Sequence, residues 1–309
     1  MMKPELISIM GHTAAGKTGV AARIARVVDG EVISADSRQV YRGMDLGTGK
    51  DYADYIIQGS PIPYHLIDIL NAGEEYNVFK FQEDFFKVYG KIKEKGKVPV
   101  LCGGSGMYIE SVLRQYDLPR VPANHTLREE LQKKDISEIV DMLKQYKGLH
   151  NSTDTRSKKR AIRAVEIAQQ MENTGWRRND LPGISSLNVV VFFSRETRRA
   201  RITERLKQRL AEGMVDEAKE LLRKGVSHDK LAYYGLEYKY LSLYLKGELA
   251  YEAMVEKLNT AIHQFAKRQM TYFRGMEKRG ISIHWLSGEI GPDEMTNKIV
   301  ELYHTEKLD

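Results

Sequence analysis

The 309-residue sequence predicts an α/β fold, a parallel sheet with helices on both faces that is interrupted by a small helical insert. Three observations predict it. The stretch Gly11-His12-Thr13-Ala14-Ala15-Gly16-Lys17-Thr18 fits G-x-x-x-x-G-K-[ST] directly after the apolar run 6–10, which places a phosphate-binding loop between a strand and a helix. Short apolar runs at 6–10, 31–35, 65–69, 98–102, 189–193 and 281–286 are mostly separated by helical patterns, as in a sheet buried on both faces. That alternation breaks between residues 117 and 186, where Pro- and Gly-containing stretches flank helical segments. The expected organisation is a core of residues 1–116 and 187–309 with an insert at 117–186.

The loop explains the first element. Its backbone N–H groups turn inward on a phosphate, Lys17 meets an outer phosphate, and the Thr18 hydroxyl is offered to Mg²⁺. A P-loop NTPase-like sheet follows, and some substrate carries a di- or triphosphate. Whether that group is hydrolysed, transferred or expelled is left open by the loop alone.

The second run ends in Asp36-Ser37-Arg38-Gln39 and a long polar string that continues to Lys50. In an open parallel sheet ligands bind beyond the carboxyl ends of the strands, so Asp36 emerges at the same edge as the phosphate loop. A metal ligand, a general base and a turn-capping carboxylate all fit it. Asp68, inside the 65–69 run, reads equally as a Walker-B-type or a structural carboxylate. The fourth run ends in Gly103-Gly104-Ser105-Gly106, whose glycines let backbone approach a ligand and whose Ser105 adds a hydroxyl.

In the insert, residues 136–146 and 157–172 carry apolar positions at helix spacing, and Arg156, Lys159, Arg160 and Arg163 form a cationic face. Beyond it, Arg201, Arg205 and Arg209 recur every fourth residue beside Ile202, Leu206 and Leu210. Between residues 156 and 209 there are 14 Lys and Arg against 5 Asp and Glu. That excess fits either a solvated face or a phosphate-backbone footprint. Near the C-terminus, Phe265-Ala266-Lys267-Arg268-Gln269-Met270-Thr271-Tyr272-Phe273-Arg274 interleaves aromatics with cations, a pattern suited to single-stranded RNA, although Phe265 and Phe273 fit a core as well.

Composition narrows the class. A 42% hydrophobic and 29% charged chain with a net charge of +6 is ordinary for a globular protein, and no long apolar stretch suggests a signal peptide or a membrane span. A cytoplasmic location is expected. Cys102, the only cysteine, sits in an apolar run, which excludes an internal disulfide and reads as a small buried hydrophobe.

Read together, these motifs resemble the tRNA dimethylallyltransferases. The resemblance runs over nearly the whole chain and rests on the phosphate loop, the string from Asp36 to Thr48, His65-Leu66-Ile67-Asp68, Gly103-Gly104-Ser105-Gly106-Met107-Tyr108, Lys159-Arg160-Ala161-Ile162-Arg163-Ala164-Val165-Glu166 and the segment from Ala266 to Arg274. Against the family's usual pattern, His12 replaces Pro, Arg38 stands where Met is common, and Gly49 replaces Ala. The resemblance implies transfer of a dimethylallyl group from dimethylallyl diphosphate to the N6 amine of the adenine next to the anticodon, with Mg²⁺ as cofactor. It implies that Gly11 to Thr18 bind the diphosphate, with Thr18 at the metal, and that Asp36, Lys17, Thr18, Ser105 and Arg205 are catalytic. Asp36 would receive a hydrogen bond or proton from the amine, while Lys17, Thr18 and Arg205 would stabilise the departing charge. Contact with tRNA would fall to Asp36, Ser37, Arg38 and Gln39, to Lys159, Arg160, Ala161, Ile162 and Arg163, and to Lys267 and Arg268. A monomer is expected. The rivals are an adenylate isopentenyltransferase acting on a free nucleotide, a P-loop nucleotide kinase or NTPase, and a non-catalytic RNA-binding protein.

Overall fold

The computed structural model describes residues 3–146, 155, 157–174, 181 and 183–306. Arg156, one of the cations assigned to the insert's basic face, lies outside them. The elements in chain order are β1 (Leu6–Gly11), α1 (Lys17–Val28), β2 (Gly30–Ser34), β3 (Ile56–Ile57), β4 (Ser60–Pro61), β5 (Tyr64–His65), α2 (Val78–Glu94), β6 (Val98–Gly103) and α3 (Gly106–Leu113). Then come α4 (His125–Gln132), α5 (Ile136–Tyr146), α6 (Lys158–Thr174), β7 (Ser186–Phe192), α7 (Arg195–Ala211) and α8 (Met214–Arg223). The chain continues through α9 (His228–Tyr233), α10 (Leu236–Leu245), α11 (Tyr251–Lys278), β8 (His284–Ser287) and α12 (Pro292–Thr305).

Six strands form one parallel sheet in the order β5-β2-β6-β1-β7-β8. Because β-strand side chains alternate, each strand serves two cores. Ile7, Ile9, Val100, Val189 and Val191 face α1 and α12, whereas Leu6, Met10, Leu101 and Val190 face a second core built with α2, α3, α7, α8, α10 and α11. The first strand lies between β6 and β7, so the chain passes to both sides of it, and the loop after β1 opens at this switch point.

Local signals account for the helix starts. Asn77 caps α2 by accepting from Lys80 N at 3.0 Å, and Ser194 caps α7 by accepting from Thr197 N at 3.1 Å. The long α11 buries Met254, Leu258, Ile262, Ala266, Met270, Phe273 and Met276 at three- and four-residue intervals. Of its two ambiguous phenylalanines, Phe273 is core and Phe265 is exposed. Replacing the fully buried Phe273 by Ala is expected to cost about 3–5 kcal/mol in denaturant-unfolding experiments, by lost burial and a residual cavity.

The expected strand at 65–69 forms only at its start, in β5. Leu66 and Asp68 adopt φ of 62° and 55°, and the chain bends so that Ile69 and Leu70 N–H donate to Val40 O. Asp68 lies in this bend. Its carboxylate accepts from Lys50 Nζ and from Tyr52 Oη, each at 2.5 Å, where Lys50 is buried and also donates to Tyr41 O and Asp45. Asp68 is therefore a brace for the string after β2.

The chain comprises two compact units, residues 1–115 with 183–309 and residues 116–182. The second unit ends short of residue 186, because Ser186 already belongs to β7. Its described residues fold as α4, α5 and α6 around Leu131, Ile139, Leu143, Ala161, Ile162 and Val165. Within it, the buried Glu166 carboxylate accepts a bidentate pair from Arg128 at 3.0 and 2.9 Å and a further bond from Arg163.

Candidate active site

Local backbone geometry builds the candidate phosphate cradle. Ala14 and Gly16 take φ of 62° and 74°, left-handed conformations that turn successive N–H groups into a concave nest at the N-terminus of α1. Gly16 suits this because it has no Cβ to strain. Arg201 Nε donates to Ala14 O at 2.9 Å, and Gln269 Oε1 accepts from Thr13 N at 2.9 Å while its Nε2 donates to Gly104 O at 3.0 Å. One amide thus ties the phosphate loop to the loop after β6. Lys17 Nζ donates to His12 O at 2.8 Å, and burial lowers its pKa below the ordinary lysine range.

His12 is fully buried, with Nδ1 donating to Thr13 O at 2.6 Å. Burial pulls its pKa down to about 4, so the imidazole is neutral at physiological pH and contributes no charge to the cradle. The His12 side chain is buried and does not line the cavity beside the loop.

A cavity of about 420 Å³ opens beside the cradle, lined by Thr13, Lys17 and Thr18 on one wall and by Asp36, Ser37, Arg38 and Gln39 on another. Ser105, Arg205, Arg209 and Arg268 complete the part that sequence anticipates. Asp36 both caps and faces the cavity. Its Oδ1 accepts from Arg38 N at 2.8 Å and Gln39 N at 3.4 Å, and among the described residues Oδ2 has no recorded hydrogen bond. Ser105 Oγ accepts from Ser37 N at 3.2 Å, which joins the loops after β2 and β6. The strand-end loops are thereby fixed to one another before any ligand arrives.

The arginine ridge of α7 divides its labour. Arg201 braces the phosphate loop, while Arg205 and Arg209 both pair with Asp51 and line the cavity. Gly49, at φ of 73°, is the residue against which Arg209 lies, and a Cβ there would overlap its guanidinium.

The expected tRNA-contact residues fall in different surroundings. Ala161 and Ile162 are buried in the core of the second unit, because they lie on the apolar face of α6. The neighbouring Arg163 directs its guanidinium to Glu166 and to Val121 O at 2.8 Å, leaving Lys159 and Arg160 as the exposed cations of that string. Lys267, expected at the tRNA, is exposed beside Arg268 on α11 and lies outside the cavity lining. Cys102 does line it, with a buried thiol whose pKa burial pushes up to about 12.

Several contributors escaped sequence reasoning. Glu217 accepts from Asp45, Leu46 and Gly47 N–H at 2.7, 2.8 and 2.9 Å and from Tyr238 Oη at 2.6 Å, clamping the loop after β2. Glu237 lines the cavity, and its pKa is raised by burial against the pull of Arg209 and Arg205. Gln269 lies within the segment from Ala266 to Arg274 yet carries no local signal for bridging two loops. Only the tertiary contacts reveal these roles.

A family model described as IPP transferase matches residues 39–276, and a tRNA dimethylallyltransferase 2 from Phocaeicola vulgatus is 53% identical over 305 residues, covering 99% of both chains. The chain belongs to the IPP transferase family. Another relative in this set, a tRNA dimethylallyltransferase 2 from Bacteroides fragilis, is 55% identical over 293 residues, with 95% of this chain and 96% of the relative covered. Among solved structures, the full-length tRNA isopentenylpyrophosphate transferase from Bacillus halodurans superposes with a TM-score of 0.69 at 32% identity, covering 98% of this chain and 95% of that one. A eukaryotic dimethylallyltransferase acting on tRNA shares the fold, with a TM-score of 0.75 at 21% identity over 91% of this chain and 73% of its own. For this IPP transferase family member, the parallel sheet with helices on both faces is the family's architecture. Among the described residues no helix is long and apolar enough to cross a membrane.

Proposed function

We propose that the chain transfers a dimethylallyl group from dimethylallyl diphosphate to the exocyclic N6 amine of the adenine next to a tRNA anticodon. The carrying observation is that the phosphate cradle and the Asp36 carboxylate line the same cavity. An electrophile held by its diphosphate and an amine near a carboxylate are then brought together. The allylic C–O bond breaks, the N6–C bond forms, diphosphate departs with the electron pair, and Asp36 takes the N6 proton. Lys17, Arg205 and the nest N–H groups stabilise the charge that grows on the leaving group. Ser105 supports Asp36 indirectly, through its hydrogen bond to Ser37 N.

The donor set suits Mg²⁺, which takes most of its ligands from phosphate oxygens and water. Thr18, whose residue lines the cavity at the start of α1, would hold it, and the ion would neutralise diphosphate charge. For the acceptor RNA, Lys159, Arg160 and Arg268 supply exposed cations, and Ser37, Arg38 and Gln39 border the space for the adenine. The names of the relatives support tRNA as the acceptor. A cytoplasmic monomer completes the reading.

The purified protein with dimethylallyl diphosphate and Mg²⁺ is expected to prenylate unmodified tRNA. The same mixture with AMP or ATP in place of tRNA separates the rivals. Prenylated AMP without prenylated tRNA would replace this reading by a nucleotide prenyltransferase, and phosphate release from ATP alone would replace it by an NTPase.

A further inference from the structure

We infer that Tyr233 and Phe265, each beside an arginine at the rim of the cavity, are stacking platforms for the nucleotides that flank the adenine. This rests on the proposed RNA acceptor. Both side chains line the cavity and both are exposed, at 42% and 39%. The Arg38 guanidinium lies 4.8 Å from the Tyr233 ring centroid, and that of Arg268 lies 5.9 Å from the Phe265 centroid. Tyr233 is held upright by an edge contact with Tyr234, with centroids 5.5 Å apart, and its hydroxyl donates to Tyr76 O at 3.5 Å. Phe265 stands off the buried row of α11 that contains Ile262, Ala266 and Phe273.

Core packing therefore explains neither ring. The chemistry of the acceptor does. A cavity of about 420 Å³ already has to take the dimethylallyl diphosphate and one adenine, so the neighbours of an inserted adenine remain outside it. Withdrawing the adenine breaks its stacking on both neighbours, and exposed aromatic or guanidinium planes at the rim replace those lost faces. Aromatic platforms accept any base, and the paired arginines add charge toward the adjoining phosphates. Arg38 and Arg268 lie against these rings, and Tyr233 and Phe265 are thereby assigned to the acceptor rather than the donor.

The test is steady-state prenylation of an anticodon stem-loop RNA by the full chain, using the RNA as it is and with abasic sites on either side of the target adenine. Tyr233→Ala and Phe265→Ala are each expected to raise KM for the RNA about tenfold, with KM for dimethylallyl diphosphate unchanged. Tyr233→Trp and Phe265→Tyr should restore it. Abasic RNA should weaken the wild type similarly and add little to the loss in the Ala variants, because platform and base are two halves of one contact. An unchanged RNA KM in both Ala variants, or losses that simply add to those of the abasic sites, would overturn the inference. Failure of the wild type to prenylate the intact stem-loop, while it prenylates AMP, would instead overturn the acceptor reading beneath it.

Discussion

Asp36→Asn is expected to lower kcat for prenyl transfer to tRNA by about 10²–10⁴-fold, the usual contribution of a positioned general base. The substitution is chosen for what it preserves. Asparagine keeps an oxygen able to accept from Arg38 N and Gln39 N, so the turn that presents the side chain should hold and the unfolding temperature should move little. What it removes is the basic oxygen that faces the cavity. Steady-state kinetics should therefore show a fall in kcat with little change in KM for either substrate. A rise in KM for the donor that excess Mg²⁺ reverses would assign Asp36 to the metal and leave the proton with another group.

Much of this arrangement is legible in the sequence, for a physical reason. The phosphate-loop conformation lies within eight consecutive residues, so Gly11 to Thr18 announce the turn between β1 and α1 by spacing alone. The main strands likewise show as apolar runs, since burial on both faces leaves little room for polar residues. The run at 65–69 misleads because its apolar neighbours imitate a strand while Asp68 is held by Lys50 and Tyr52. Ala161 and Ile162 mislead differently. A contiguous string on a helix mixes exposed and core positions, and α6 turns those two inward while Lys159 and Arg160 face out. Gln269 is illegible because its partners Thr13 and Gly104 lie 256 and 165 residues away. No local pattern encodes such a bridge.

Lys17→Ala should damage donor binding and chemistry together, which distinguishes it from Asp36→Asn. Leaving-group charge grows as the C–O bond breaks, and the loss of one preorganised donor to such charge costs about 10²–10³-fold in kcat. The same ammonium also meets the ground-state diphosphate, so KM for the donor should rise as well. Lys17→Arg is not expected to rescue it, because the cradle is shaped around a point charge that reaches His12 O at 2.8 Å, and a planar guanidinium is a different object. The pH dependence has a definite sign. Burial lowers the Lys17 pKa, so the free enzyme loses this charge as pH rises through a value below the ordinary lysine range. Donor affinity should then be fully present at lower pH and weaken on the alkaline side. His12, with a pKa of about 4, is neutral throughout that window and cannot produce the effect. Binding of dimethylallyl diphosphate measured by calorimetry across the alkaline range checks this, and the alkaline loss should vanish in Lys17→Ala. A loss that persists in the variant would move the titration to another group and leave Lys17 charged throughout.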